Sequence, residues 1–378
     1  MTGANDLLNR VRFRGEAGKP KQFKKFLLAL LLLWIGGMSF ALTQRSAGQE
    51  PSPPVKWQRF ERTEVHMGSP FKVVFYSDDE KLANRAFERA FGRIAQLDKV
   101  LSDYDLESET NKLCASAPHV DFQPVSSDLI AVLTISTELG SKTESAFDVT
   151  VGPLTKLWRR TRRQKELPAN EVLTEALSAT GLDGISLNAT RTAVRLTKKD
   201  MRLDFGGIGQ GFAADEVLKI LSEMGIPRAL VNASGDVVAG EAPPGEKGWK
   251  VALAGLEPKT KSPSSFVWLS RGSITTSGDA FQSVEIDGKR YSHIVDPKTG
   301  LGMQRRISAT TYAKSGTIAD ALATALCVLP TKKGFDILAR EFTGAEALIL
   351  EMDGQERIET ASRNFPHREP IVEGLMIE

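Results

Sequence analysis

Three side chains towards the C-terminus have the chemistry to hold a hard cation. In Ser315-Gly-Thr-Ile-Ala-Asp-Ala-Leu-Ala-Thr324, helical spacing puts Thr317, Asp320 and Thr324 in one narrow sector, with Ile318, Leu322, Ala325 and Leu329 opposite. A carboxylate and a hydroxyl one turn apart, flanked by alanines small enough to admit a ligand, are oxygen donors of the kind Mg²⁺ takes alongside phosphate oxygens. The same pattern also suits an Asp320 that makes only a local polar contact on an exposed face. His293, one of four histidines, stands among polar neighbours and suits a general base or a phosphate positioner, or a purely structural role. Tyr104 and Phe147 can stack on a flat ring or simply fill a core.

A phosphate partner for such a cation would fit the stretch Met201-Arg-Leu-Asp-Phe-Gly-Gly-Ile-Gly-Gln-Gly-Phe-Ala-Ala-Asp215, where a short strand enters four glycines and leaves as a helix. Glycines let bare backbone N–H groups approach a phosphate at a helix start. Ala213, Val217, Ile220, Leu221 and Met224 share one helical face, Gly225 ends the helix, and the β-rich run from Ala229 to Asp236 follows. The dinucleotide pattern G-x-G-x-x-G fails in both frames, at Ile208 from Gly206 and at Phe212 from Gly207, and no G-x-x-x-x-G-K-[ST] loop is present. Glycines that merely let a helix pack closely on a strand remain the alternative.

Other elements must position these groups. Two strands from Trp57 to Tyr76 break at Met67-Gly-Ser-Pro70, with Phe71, Val73 and Phe75 alternating against Lys72 and Val74. Helices are expected from about Asp79 to Leu101, from Asp128 to Leu139, from Trp158 to Thr180 with a break at Pro168, and from Ser315 to Leu329. A hairpin is expected over Ile185–Leu196. Strands are expected at Trp249–Leu253, Phe266–Leu269 and Ala345–Met352, with polar loops at Ile274–Asp279 and Tyr291–Gly300. Without a regular βαβ alternation, the fold class is α+β, mixed sheets with packed helices.

At 378 residues and 41% hydrophobic content the chain can bury a substantial core, and a net charge of +2 gives no sign of a nucleic-acid partner. Arg159-Arg-Thr-Arg-Arg163 reads as a solvated helix end. Cys114 and Cys327 lack metal-ligand spacing, and nothing supports a bridge between them. A basic segment over residues 1–25 precedes an uncharged, mostly apolar run, 26–43, which reads as an N-terminal hydrophobic helix: an uncleaved signal anchor in preference to a removed signal peptide. The basic flank would stay in the cytoplasm and send the rest across the membrane. Residues 44–56 read as a linker and 57–378 as the folded domain.

Taken together, Met67-Gly68, Ser102-Asp-Tyr104, Phe147-Asp-Val-Thr-Val-Gly-Pro-Leu154, Leu203-Asp-Phe-Gly-Gly-Ile208, Gly235-Asp236, Thr276-Ser-Gly-Asp279, Ser292-His-Ile-Val-Asp-Pro297 and Ala319-Asp-Ala-Leu-Ala-Thr324 stand in the order of a known family. Over roughly Val65 to Leu350 the sequence resembles the ApbE family of FAD:protein FMN transferases. The resemblance implies an exported enzyme, at the inner membrane of a bacterium with its catalytic domain on the periplasmic side. It would take FAD as substrate with Mg²⁺ and move FMN onto a threonine or serine hydroxyl of an acceptor protein, such as a membrane electron-transfer subunit, releasing AMP. Carried over by position, Gly207, Asp320 and Thr324 look like metal ligands, and Met67, Tyr104, Ala146, Phe147, Asp148, Asp204, Gly207, Gln210, His293 and Ile294 like flavin-nucleotide contacts. His293 and Asp320 are the expected catalytic pair. The chain departs from the family at Gln210, where lysine is usual, and at Ser234-Gly235, where a glycine pair is usual; loss of the cation would weaken FAD binding or turnover. An FAD pyrophosphatase and a non-catalytic exported flavin carrier are the alternatives.

Overall fold

Three successive residues of the second strand, Val73, Val74 and Phe75, are all buried, which requires a sheet covered on both faces. The computed structural model describes residues 56–256, 265–279 and 282–371. The basic segment, the apolar run and the linker up to Val55 lie outside the described residues, as does the Pro/Lys/Ser stretch after Leu256. Among the described residues no helix is long and apolar enough to cross a membrane.

The main sheet has eight strands in the order β1 (Gln58–His66), β2 (Ser69–Ser77), β6 (Ala229–Ala233), β7 (Asp236–Ala239), β10 (Gly272–Gly278), β13 (Ile307–Ala313), β14 (Glu346–Asp353) and β15 (Glu356–Ala361). Each neighbouring pair is antiparallel, which suits the α+β reading. Phe71, Val73, Phe75, Val231 and Ile349 point to one face, where α1 (Glu80–Leu101), α6 (Gly209–Glu223) and α7 (Gly316–Val328) pack. Val74, Leu230, Leu348 and Leu350 point to the other, against Trp249, Val251, Val267 and Leu269 of a three-stranded sheet, β8 (Trp249–Ala252), β9 (Ser265–Leu269) and β16 (Arg368–Pro370). Val74, read from sequence as an outward partner of Lys72, is therefore core as well.

Smaller helices complete the cover: α2 (Glu109–Ala115), α3 (Ser127–Lys142), α4 (Gly152–Gln164), α5 (Asn170–Ser178) and α8 (Thr331–Glu341). Arg93 of α1 forks onto Asp128 of α3 at 2.7 Å through each terminal nitrogen and onto Glu216 of α6 at 2.7 Å, tying three helices together. The expected hairpin forms as β4 (Ile185–Leu187) and β5 (Ala193–Leu196), extended by β3 (Gln123–Pro124). A second hairpin, β11 (Ser283–Ile286) with β12 (Lys289–Ser292), precedes the His293 loop.

The helix expected from Trp158 begins six residues earlier, because Pro153 occupies the first turn, where its missing N–H costs nothing and its fixed φ favours the helix. It ends at Lys165, in a left-handed conformation at φ 56°. Leu154 and Trp158 then point into a cluster with Val284, Tyr291 and Val295, and the Trp158 indole donates to the Gly300 carbonyl at 2.7 Å. Burying side chains of this size contributes about 1.5–3 kcal/mol each, and here it fixes α4 against the loop that carries His293. The run Ile274–Asp279, expected as a loop, is mostly strand β10, hydrogen-bonded between β7 and β13. Both cysteines are buried free thiols.

Candidate active site

The stretch Met201–Asp215 makes one parallel bridge, Val151 to Arg202, in place of the short strand expected, then the bend and α6. Asp204 organises the entry to the bend. Its Oδ1 accepts from the Gly206 N–H at 2.8 Å, and its Oδ2 accepts from Thr155 Oγ1 at 2.7 Å and Arg159 Nη2 at 3.3 Å. No side chain caps α6 at Ile208.

Two of the four glycines are there for close approach. A Cβ on Gly211 would lie 2.3 Å from the Gly316 carbonyl oxygen and 2.9 Å from Asp320 Cβ, and one on Gly207 would lie 2.9 Å from Thr324 Oγ1. The close-packing alternative thus holds at Gly211, against a helix and not a strand. The Gly206 and Gly211 amides are committed to the carboxylates of Asp204 and Asp320. The outcome is that the glycine bend and the helix carrying Asp320 and Thr324 are in direct contact.

Asp320 is 3% exposed, which removes the exposed-face alternative. Its Oδ2 accepts from Gly211 N–H at 3.1 Å. Burial first, then the charges of Asp236 and Asp215, push its carboxyl well above the usual range, and burial pushes Asp236 up to about 7. Carboxylates gathered this way are stabilised by a bound cation. Thr324 Oγ1 is 3.3 Å from Ser277 Oγ. Thr317 does not join them: its hydroxyl donates to Asp215 at 2.6 Å, and the same carboxylate accepts from Ser315 Oγ and from the Gly316 and Thr317 amides at 2.7–2.9 Å. Asp215 is therefore the anchor of the first turn of α7.

Among the described residues no three His, Cys, Asp or Glu side chains are arranged to hold a metal ion. One carboxylate with a hydroxyl and a backbone carbonyl fits a hard cation that keeps waters and takes phosphate oxygens, as Mg²⁺ does, and does not fit zinc.

Gln210 accepts from Ser69 Oγ at 2.9 Å and donates its amide nitrogen to Asp236 Oδ2 at 2.8 Å and to the Ala233 carbonyl at 3.2 Å. It is a neutral link between three segments. Ser234 adopts φ 55° and Gly235 φ 115°, so the tight turn forms with one glycine.

Asp320, Thr324, Gly207, Gln210 and Asp236 open on one cavity of about 1500 Å³. Met67, Tyr104, Ala146, Phe147, Asp148, Asp204, Gly207, Gln210, His293, Ile294, Asp320 and Thr324 line it. Met67 holds φ 49° and its N–H donates to Asp98 at 3.1 Å. Tyr104 is 75% exposed, so it is available for stacking, whereas Phe147 at 4% belongs to the core and meets the cavity only at its edge. Asp148 is buried, which raises its pKa, and its Oδ1 accepts from the Thr150 amide and hydroxyl at 2.7 and 2.6 Å. The ring of half-buried His293 lies with Nδ1 3.2 Å from the Gln282 carbonyl. A carbonyl only accepts, so Nδ1 carries the proton and Nε2 keeps its lone pair; burial lowers the pKa and favours this neutral form.

Sequence reasoning missed Arg159 and Arg162, which also line the cavity. With α4 starting at Gly152, Thr155, Arg159 and Arg162 recur at i, i+4 and i+7 and share a face, while Arg160 and Arg163 are solvated. That spacing is legible in the sequence once the helix start is placed at Pro153.

Residues 67–349 match the model of the ApbE family. The chain belongs to the ApbE family. A FAD:protein FMN transferase of Escherichia coli K12 is 29% identical over 339 residues, covering 86% of this chain and 92% of the relative. One of Treponema pallidum is 31% identical over 319 residues, covering 79% and 86%. The apo crystal structure of the Pseudomonas stutzeri flavinyl transferase ApbE superposes with a TM-score of 0.72 at 28% identity, over 81% of this chain and 95% of that one. The Vibrio cholerae flavin transferase ApbE gives 0.73 at 25% identity, over 82% and 98%. The neutral Gln210 gives Asp236 an amide partner.

Proposed function

We propose that this chain is a Mg²⁺-dependent FAD:protein FMN transferase. The observation that carries the reading is the contact of Gly207 with Thr324 and of Gly211 with Asp320, which sets Gly207, Asp320 and Thr324 together on the wall of one large cavity. It brings the donors for a hard cation and the bend for a diphosphate to one place. Asp320, Thr324 and the carbonyl of Gly207 would hold Mg²⁺, which supplies charge neutralisation at the diphosphate.

The chain's own residues account for the rest. Tyr104 offers a ring face for a flat heterocycle. The glycine bend and the start of α6 place the diphosphate. His293 Nε2, neutral and unprotonated, accepts the proton of the incoming threonine or serine hydroxyl, whose oxygen attacks the phosphorus of the FMN half. The bond from that phosphorus to the bridging oxygen breaks in line, and AMP leaves. Asp215 holds α7 so that Asp320 and Thr324 keep their places.

The basic segment and apolar run at the N-terminus support a catalytic domain exported to the periplasmic face of the inner membrane, with residues 26–43 as anchor. An acceptor in a membrane electron-transfer subunit is consistent with that location.

The test is product analysis of the full chain incubated with FAD, Mg²⁺ and a domain bearing a candidate threonine site. AMP together with covalently bound flavin is expected. AMP without labelled protein would replace transfer by hydrolysis, and bound FAD with neither product would leave a flavin carrier.

A further inference from the structure

The cavity has an electrostatic deficit that the residues assigned so far do not meet. Seven aspartates line it, and among the described residues only Arg159 and Arg162 oppose them as arginine or lysine side chains. A diphosphate brings more negative charge, and Gln210, at the bend itself, is neutral.

The two arginines are not equivalent. Arg159 is engaged on three sides: Nη1 lies 2.5 Å from Asp103, Nη2 lies 3.3 Å from Asp204, and the guanidinium covers the Tyr104 ring at 4.2 Å. Arg162, one turn further along the same face, makes a single side-chain hydrogen bond among the described residues, from Nη1 to the amide oxygen of Gln282 at 2.8 Å. A guanidinium carries five N–H donors in a planar fork that matches phosphate oxygens. Most of Arg162's donors are thus uncommitted, and its charge has no carboxylate partner among the described residues.

Its position is also specific. Gln282 accepts from Arg162 through its side-chain oxygen and from His293 through its backbone carbonyl, which ties the two side chains to one residue. Trp158, one turn before Arg162 on the same side of α4, packs with Leu154 against the hairpin and loop leading to His293. The fork is carried by a packed helix and not by a free loop.

We propose that Arg162 binds phosphate oxygens of the dinucleotide on the His293 side of the cavity, and that Arg159 is the positioning residue that keeps Tyr104 and the glycine bend in register beside it. The assignment rests on the flavin-nucleotide reading and adds to it a cationic group beside His293. It makes the phosphate, and not the flavin ring, the part of the ligand that Arg162 recognises.

The test is a set of flavin-fluorescence titrations of the full chain, wild type, Arg162→Gln and Arg162→Lys, with FAD and with riboflavin, which has the ring and no phosphate, at low and high salt. Loss of one charge-assisted contact predicts roughly 10- to 100-fold weaker FAD binding in Arg162→Gln, unchanged riboflavin binding and a shallower salt dependence. Arg162→Lys should recover part of the affinity, since it keeps the charge but not the fork. Equal FAD affinity in wild type and Arg162→Gln would overturn the assignment, as would a parallel loss for FAD and riboflavin. Wild-type protein that binds no FAD would instead overturn the flavin reading itself.

Discussion

Replacing Gly211 by alanine sets two effects of known sign against each other. In a helix interior alanine is favoured over glycine by up to about 1 kcal/mol. At Gly211, however, the added Cβ would meet the Gly316 carbonyl carbon and oxygen at 2.6 and 2.3 Å, and neither is the movable end of a side chain. The start of α6 and the start of α7 must part by roughly 1 Å to restore ordinary contact. Overpacking of this kind costs about 1–3 kcal/mol, and weakening the bond from Gly211 N–H to Asp320 adds about 1.5–3 kcal/mol for a charged acceptor. The clash wins by about 2–4 kcal/mol, since these costs overlap and are not additive. Because the same movement carries Asp320 away from the bend, turnover should fall by about 100-fold. Gly92 provides the control: it lies in α1 with nothing within 4 Å of its Cβ position, so Gly92→Ala should raise the melting temperature and leave turnover unchanged. Thermal melts and AMP release on both variants make the assay. A Gly211→Ala protein as stable and active as wild type would refute the close contact of the two helices.

Asp215→Asn keeps the shape of the anchor but loses its charge and one acceptor oxygen, so a loss of about 1–2 kcal/mol is expected by denaturant unfolding; unchanged stability would remove Asp215 from the scaffold. With EDTA present, Asp236 has a folded-state pKa of about 7, above its unfolded value, so the folded state binds the extra proton. Its contribution to stability is lost as pH rises from about 4 to 7; Asp236→Asn should remove that slope and melt higher than wild type at pH 8, and an identical slope in the two proteins would contradict the placement. His293→Gln should lower transfer by about 10²–10⁴-fold, while the wild-type acid limb should fall below the ordinary histidine value because burial depresses this pKa. An acid limb above that value would exclude His293 as the base.

Periodicity made α1 and α6 legible, since each buries one face and shows it at helical spacing, whereas α7 is buried on nearly every side and was legible from its length and its small apolar residues. β10 was read as a loop because Thr275, Thr276 and Ser277 are polar, yet their backbone pairs with β13 and continues a strand in which Ser273 and Ile274 are paired on both sides. The second buried face of β2, at Val74, depends on the small β8–β9–β16 sheet, which no local pattern announces. In the site, the sector argument grouped Thr317 with Asp320 and Thr324, of which only the latter two line the cavity. The Thr317 hydroxyl is drawn to Asp215, a hundred residues away in sequence, and only tertiary packing brings that partner near. Arg159 and Arg162 were hidden by the helix start: counted from Trp158 they are a charged end, and counted from Gly152 they are an inward stripe.

The most direct measurement is anomalous diffraction from crystals of the protein with Mn²⁺ and FAD. A single peak is expected within about 2.0–2.3 Å of an Asp320 carboxylate oxygen and of diphosphate oxygens seated at the Gly206–Gly209 bend. A diphosphate bound away from that bend, or a metal ion that leaves Asp320 and Thr324 untouched, would contradict the account.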